Sequence, residues 1–498
     1  MKRLGFLAAL IGVTLGATAQ TNEPAHARTL SLQDCLQLAL RHNLDLQIDR
    51  YNPQIARFAL RAAYAPYDPT FALSGQHDHL ESGTKLLSGG LAVAGSQSDD
   101  NSFSSSLGGQ TPWGMTYGLQ GSTADTYGRT GGATNGFENS PASASLNVTQ
   151  PLLKNSWIDS PRLNIRVAKN RLKYSELALQ SQIMQTATSV ETAYDDLIYN
   201  RANVAVQQKA VQLAEELVAQ NQQKVEIGTL AALDLESAKA QAATSRANLL
   251  AAQSALGTQE RVLKQLITDE FSQWQPLELL PAGELSAVPA DLNLQDSWGK
   301  ALSQRPDLLQ ARLDVEKAGI QLKFDRNQLY PELDAFATYG YNGSGKEFSG
   351  ALYDLQQMDR QFYTFGGKLT VPLSNVSARN TYKSDQAALQ QVILTLKKLE
   401  QTIMIQIDND VGSIRANYEQ VQATRAAREY EEQALAAEQK KQENGASTTY
   451  LVLQVQRDLT NARGQEIQAL DTYNKSRAQL SLDEGGTLER LGVNLEVK

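Results

Sequence analysis

The sequence predicts an α+β chain that is internally duplicated, with long coiled-coil-like helices enclosing a space as an α-barrel and strands suited to a β-barrel wall. Three observations carry this: a layout that occurs twice, an apolar residue at every seventh position of a long helical segment, and period-two alternation between the helices.

The duplication is read directly from the residues. Leu30-Ser31-Leu32-Gln33-Asp34 returns as Leu292-Asn293-Leu294-Gln295-Asp296, 262 positions later, and the same offset lays Asn43-Leu44-Asp45-Leu46 on Arg305-Pro306-Asp307-Leu308 and Pro69 on Pro331. Val148 to Leu152 corresponds to Leu369 to Leu373 at an offset of 221, and Lys224 to Gly228 corresponds to Lys441 to Gly445 at 217. The first repeat is therefore expected at 20–270 and the second at 290–482, with a proline-containing linker at 271–289 and a tail at 483–498. Each repeat reads as short helices, strands (69–150 and 331–373), then a long helical hairpin (161–268 and 375–480). A helix is expected from Leu32 to Leu46.

In the long helices, Ile183, Val190, Leu197, Val204, Val211, Val218 and Val225 repeat every seven residues. The neighbouring seam positions hold Ala193, Asn200, Gln207, Ala214 and Asn221, so the stripe is narrow and fits side-by-side contact. Ile403, Ile407, Val411, Ile414, Tyr418 and Val421 follow a spacing of three and four in the second repeat. A continuous helix over 161–228 would run ~100 Å at 1.5 Å per residue. Gly228 and Gly445 supply the turns that fold each long helix back on a partner.

The N-terminus carries Lys2 and Arg3, an apolar run from Leu4 to Leu15 and a small-x-small site at Ala17-Thr18-Ala19, the pattern of a cleaved secretory signal over 1–19. The run is short for a membrane anchor. The single cysteine, Cys35, is too far from the cleavage site for lipid attachment and allows no intrachain disulfide, so it reads as a small buried apolar residue. No apolar stretch after the signal reaches eighteen residues. With a net charge of −8 and scattered basic residues, nothing marks a nucleic-acid surface.

The strand segments alternate. Trp113, Met115, Tyr117 and Leu119 are separated by Gly114, Thr116 and Gly118; Ala144, Leu146 and Val148 behave likewise, as do Leu333, Ala335, Ala337, Tyr339 and Tyr341, then Tyr363, Phe365, Leu369 and Val371. This pattern fits a barrel wall with lipid outside and water inside, and Leu146, Val148, Leu333, Tyr339, Tyr341, Tyr363 and Phe365 are the expected lipid-facing residues. A soluble sheet lying on a core is the alternative. One hairpin per repeat gives about four strands per protomer, too few to close in lipid, where open edges are not tolerated. Three copies would supply twelve, which predicts a homotrimer. The Gly/Ser-rich stretches 82–109 and 121–136 are expected as extracellular loops, with 113–120 either in the wall or in an extra hairpin.

Taken together, these segments resemble the TolC-like outer-membrane efflux proteins over nearly the whole chain. The matching residues are Ala39-Leu40-x3-Leu44-Asp45-Leu46, Arg305-Pro306-Asp307-Leu308, Gln150-Pro151-Leu152-Leu153, Ala193-Tyr194-Asp195-Asp196-Leu197, and Gly228-Thr229-x4-Asp234-Leu235-x2-Ala238 echoed by Gly445-x-Ser447-x3-Leu451-Val452. The resemblance implies a passive trimeric duct through the outer membrane with a periplasmic extension, joined by a periplasmic adaptor protein to an inner-membrane efflux or secretion transporter. It also implies that the turns at Gly228, Thr229 and Asp234, and at Gly445, Ser447 and Thr448, form the periplasmic entrance and meet the adaptor. Asp234 matches the family's tip aspartate, while an acidic ring found in some members would fall here on Leu451 and Gln454 and is absent. A non-conducting periplasmic or surface coiled-coil scaffold is the competing function.

Enzymatic chemistry has little footing. Gly340 to Glu347 imitates a phosphate-binding loop up to Lys346 but lacks the magnesium-binding hydroxyl, and an extracellular loop accounts for it better. His77-Asp78-His79 has no third histidine nearby to complete a metal set, and no nucleophile elbow is present. No catalytic residue, cofactor or metal is expected.

Overall fold

A computed structural model describes residues 27–86, 89–90, 92–131, 136–289 and 292–493. The expected signal at 1–19 and the last residues of the 483–498 tail lie outside the described residues. In the first repeat, β1 (Ala27–Leu30) leads into α1 (Leu32–His42), α2 (Leu44–Asp49), α3 (Tyr51–Ala62) and a 3₁₀ turn at Ala65–Tyr67. Then come β2 (Thr70–Glu81), β3 (Lys85–Leu86), β4 (Ala92–Val93), β5 (Gln97–Gln110), β6 (Thr116–Arg129), β7 (Phe137–Pro151), α4 (Ser160–Glu226) and α5 (Ala232–Ile267). The connecting segment holds α6 (Phe271–Trp274) and β8 (Glu278–Pro281). The second repeat runs α7 (Leu294–Gln304), α8 (Pro306–Gln328), β9 (Glu332–Gly345), α9 (Phe348–Gln357), β10 (Gln361–Thr370), α10 (Val376–Glu443) and α11 (Thr449–Asp483), followed by α12 (Thr487–Arg490).

The two repeats share their local signals. Ser31 caps α1 with a reciprocal box to Asp34, and Asn293 caps α7 through the Gln295 amide. Both helices end on an extended residue, Asn43 with ψ 122° and Arg305 with ψ 120°. The single helix expected from Leu32 to Leu46 is therefore two: Asn43 leaves the helix, its side-chain amide donates to the Leu266 carbonyl at 3.1 Å, and α2 restarts at Leu44. In the second repeat Pro306 opens α8, where its missing N–H costs nothing.

The chain divides into two compact units, and α4 and α10 contribute to both. The first unit comprises Met1–Leu44, Thr186–Ala290 and Ile414–Ala478. Within it β1 pairs in parallel with β8, and Tyr194 donates to the Leu30 carbonyl at 3.1 Å. Cys35, Leu36, Leu263, Ile267 and Leu279 are buried there, and burial pushes the Cys35 thiol up to about 12, so it stays protonated and inert. Further along, Leu217, Leu435, Val452, Leu453 and Leu459 bring α4, α10 and α11 into one small core.

The heptad stripe of α4 is real but drifts. Val190, Leu197 and Val204 are buried, whereas Val211, Val218 and Val225 are half-buried and Ala214, Leu217 and Asn221 take over the contact. A straight helix at 3.6 residues per turn rotates by ~20° per heptad against a 3.5 repeat. In α10, Ile414 and Val421 are buried and Tyr418 is half-buried, tilted against Tyr473 at 5.7 Å between ring centroids.

The second unit comprises Asp45–Gln185, Asp291–Ser413 and Gln479–Lys498, and it contains one antiparallel sheet of six strands in the order β10-β9-β7-β6-β5-β2. About four strands per protomer were expected for a barrel wall, and this sheet has six. Of the Gly/Ser-rich stretches expected as loops, 97–109 lies in strand β5 and 121–129 in strand β6; only 111–115 between the two strands is a turn, so Trp113 and Met115 lie outside them. Small polar residues led to the loop expectation, yet on the polar face of a sheet they serve as strand residues. Ser74 and Ser104 hydrogen-bond across β2 and β5 at 2.7 Å, and Ser122 and Ser143 across β6 and β7 at 2.8 Å.

Gly340 to Gly345 is likewise not a loop but the last part of β9. The glycines are there for packing: a Cβ at Gly343 would stand 2.4 Å from the Ala351 carbonyl oxygen of α9, which lies against this end of the sheet. Phe348 of α9 meets Phe103 of β5 edge to face at 5.9 Å.

Candidate functional site: sheet faces and hairpin tips

The register of the sheet gathers the alternating residues onto two chemically opposite faces. Phe71 stands opposite Leu107, Leu107 opposite Leu119, Leu119 opposite Leu146, Leu146 opposite Tyr339, and Tyr339 opposite Tyr363. Directly paired residues share a face, so one apolar row crosses all six strands without a gap. Every member is exposed, from 39% at Leu107 to 69% at Phe71. The row of Tyr117, Val148, Ala337 and Phe365 lies on one side of it, and Leu73, Ala144 and Tyr341 on the other. Leu333, paired with Leu369, falls on the same face.

All seven residues named from sequence as lipid-facing, Leu146, Val148, Leu333, Tyr339, Tyr341, Tyr363 and Phe365, therefore share this face. Sequence reasoning missed Phe71, Leu73 and Leu107 on it. Their signal was weak because β2 and β5 alternate with serine and glycine rather than with a run of aromatics. From Leu333 to Tyr341 the apolar face extends ~27 Å along the strand at 3.4 Å per residue, comparable with the ~25 Å apolar band of membrane barrels.

The opposite face is polar. Besides the serine pairs, Thr338 donates to Asn147 at 2.8 Å and Asn147 to Gln120 at 3.3 Å. Two of its aromatic exceptions cover glycines: Phe336 lies opposite Gly366 and Phe362 opposite Gly340. His77 and His79 turn to the other side, with Nδ1 contacts to Asn101 at 2.9 Å and Asp99 at 2.6 Å. Among the described residues no group of three or more His, Cys, Asp or Glu is placed to hold a metal ion.

At the base of the sheet the strand-to-helix junction is tightly held. Asp159, buried, accepts from Arg162 Nε at 3.0 Å and from Gln110 of β5 at 3.0 Å, while Arg162 also donates to the Asn155 and Ser156 carbonyls. Gly114, at φ +92°, closes the β5–β6 turn where a Cβ would stand 2.8 Å from Arg162.

The two hairpin tips, both in the first unit, have the same backbone geometry. Gly228 and Gly445 adopt φ +76° and +73°. After each glycine the next amide reaches back to close a Schellman turn: Thr229 to the Lys224 carbonyl and Ala446 to the Lys441 carbonyl, both at 2.8 Å. Thr229 adds its hydroxyl to the Lys224 carbonyl at 3.0 Å. Asp234 sits in the first turn of α5, half-buried, where its charge complements the helix N-terminus. Ser447 donates its hydroxyl to Glu438, and the exposed Thr448 caps α11 through the Leu451 amide at 3.4 Å. Leu451 and Gln454 are both exposed on α11.

Behind the second tip, α10 and α11 are tied by Arg428 to Glu466, Arg463 to Glu432 and Arg425 to Glu466, with Arg428 also paired to Glu432 within α10. Higher in this unit, Lys475 bridges Asp196 and Asp471. Beside them burial, with Glu191 and Asp471 nearby, raises the Asp195 carboxyl to about 7.

A model of the family described as outer membrane efflux protein matches residues 114–268 and 298–484. The chain belongs to the outer membrane efflux protein family. Like the rest of that family it is an outer-membrane efflux channel, a component of tripartite efflux systems, and not an enzyme. Channels of this family form trimers. The outer membrane protein TolC of Escherichia coli is 26% identical over 365 residues, which cover 71% of each chain. Among solved structures, the outer membrane protein VceC of Vibrio cholerae superposes with a TM-score of 0.64 at 20% identity, covering 93% of this chain and 96% of its own. The CmeC channel of Campylobacter jejuni gives 0.68 at 14% identity, covering 100% and 98%. Membership of this family decides against the coiled-coil scaffold.

Proposed function

We propose that three copies of this chain assemble into a passive export duct. Their sheets form the wall in outer-membrane lipid, with the Phe71–Tyr363 row outward and the serine ladders lining water. The tips at Gly228, Thr229 and Asp234, and at Gly445, Ser447 and Thr448, form the periplasmic entrance and dock an adaptor protein, through which an inner-membrane transporter delivers cargo. The observation that carries this reading is the sheet itself: one face apolar and exposed, the other polar, and an unpaired edge at each end. A single such sheet cannot rest in hydrocarbon, where each unmade backbone hydrogen bond costs several kcal/mol, roughly.

Protein extracted from outer membranes in detergent should run as a trimer, migrate differently before and after heating, and conduct ions in planar bilayers. A water-soluble monomer without conductance would overturn the proposal. Photocrosslinkers placed at Thr229 and Thr448 should capture a periplasmic adaptor; capture from Tyr353 of α9 instead would invert the proposed orientation.

A further inference from the structure

We infer that the membrane wall of the assembled channel has eighteen strands rather than twelve, because an inserted strand pair widens each subunit's sheet without altering its edges. This rests on the trimer proposed above.

The argument begins with the duplication. β9 starts 262 residues after β2, and Thr370 at the end of β10 lies 221 after Thr149 of β7, so β2 and β7 are the counterparts of β9 and β10. β5 and β6 have no counterpart; α9 occupies the corresponding place in the second repeat. In the sheet the extra pair sits between β7 and β2. Removing it would leave β10-β9-β7-β2, with the same two edge strands. The surfaces that meet a neighbouring copy are thus unchanged: β2, twelve residues, and β10, ten residues, each hydrogen-bonded on one side only and exposed almost throughout.

Three features keep β5 and β6 in the wall. Both pair along their length, with fourteen residues in each strand. Leu107 and Leu119 continue the apolar row, and Ser104 and Ser122 continue the serine ladder on the other face. Their connecting turn is anchored, with Gln110 bonded to buried Asp159 at the start of α4. A hairpin standing clear of the membrane would need neither an apolar face in register with its neighbours nor a brace at the strand-to-helix junction.

Three copies of a six-stranded sheet give eighteen strands. Barrel diameter grows roughly linearly with strand number, so the wall would be about 1.5-fold wider than a twelve-stranded one, with about 2.2-fold the cross-section.

The test is a strand count by cryo-electron microscopy of the full chain in lipid nanodiscs, paired with disulfide mapping in a Cys35→Ala background. Eighteen strands from three subunits, with crosslinks for Ala72→Cys/Ser106→Cys and Gln120→Cys/Ser145→Cys, is the expected result. A trimer with twelve strands and 97–129 outside the wall would overturn the inference while leaving the trimeric duct intact. So would a crosslink for Ala72→Cys/Ser145→Cys, since two intervening strands hold those positions ~14 Å apart at 4.8 Å per spacing. A chain that forms no trimer would overturn both.

Discussion

Leu146 of β7 stands directly opposite Tyr339 of β9, and this pairing joins the first repeat to the second. It is the point at which two half-sheets, each with one apolar face, become one surface: Leu119 and Phe71 extend the row on one side and Tyr363 on the other.

That surface predicts a contrast between adjacent residues. Leu119→Arg, on the apolar face of β6, should lower the yield of assembled trimer in the outer membrane, consistent with a cost of ~2–4 kcal/mol for a charge near the bilayer midplane. Gln120→Arg, one residue on and facing the opposite way, should assemble normally. Heat-modifiable migration of membrane extracts reads both. Equal assembly of the two variants would count against β6 lying in the wall.

The tips predict a backbone effect. Gly228→Val and Gly445→Val each place a branched residue at positive φ, at a cost of roughly 1–2 kcal/mol or more. Hydrogen exchange should speed up at 224–234 in the first variant and at 441–451 in the second, with the sheet unchanged. Adaptor crosslinking from the same tip should fall. Alanine, smaller but equally L-configured, should show a weaker version of both effects.

Asn221 predicts a stabilising substitution. It is fully buried, and neither its carbonyl oxygen nor its amide nitrogen has a hydrogen-bond partner among the described residues. Asn221→Leu should therefore raise thermal stability in detergent by ~1–3 kcal/mol, the usual penalty of a buried unpaired polar group. No change in melting temperature would mean that the amide finds a partner in the assembled channel.

Asp195 predicts a pH dependence. Its carboxyl is raised to about 7 in the fold, against an ordinary value of 3.8. A raised acid contributes stability that is fully present below the unfolded value and lost as pH climbs through the folded one. The wild-type chain should lose stability between roughly pH 4 and 7 from this group. Asp195→Asn should flatten that part of the curve and raise the melting temperature at pH 8, by about 1 °C for each kcal/mol regained in a chain of this size. A wild-type curve that rises over that window would refute the assignment.

How far the sequence reached can be seen residue by residue. Gly228 and Gly445 were legible because only glycine sits comfortably at positive φ, so a lone glycine after a long amphipathic run marks a turn by itself. The same holds for Ser31 and Asn293, whose capping role is local. Tyr339, Tyr341, Tyr363 and Phe365 were legible because large side chains alternating with small ones fix a face before any partner is known.

What the tertiary structure alone decided lies where chemistry is ambiguous without a partner. Ser104, Gly108, Gly121 and Ser122 have the composition of a loop; their place in strands comes from the residues opposite them. Gly343 looked like part of a loop until α9 was laid against it. Strand number, and with it the width of the wall, therefore belonged to the fold: a helix or a turn is specified by its own residues, whereas a strand exists only through the hydrogen bonds of its neighbours.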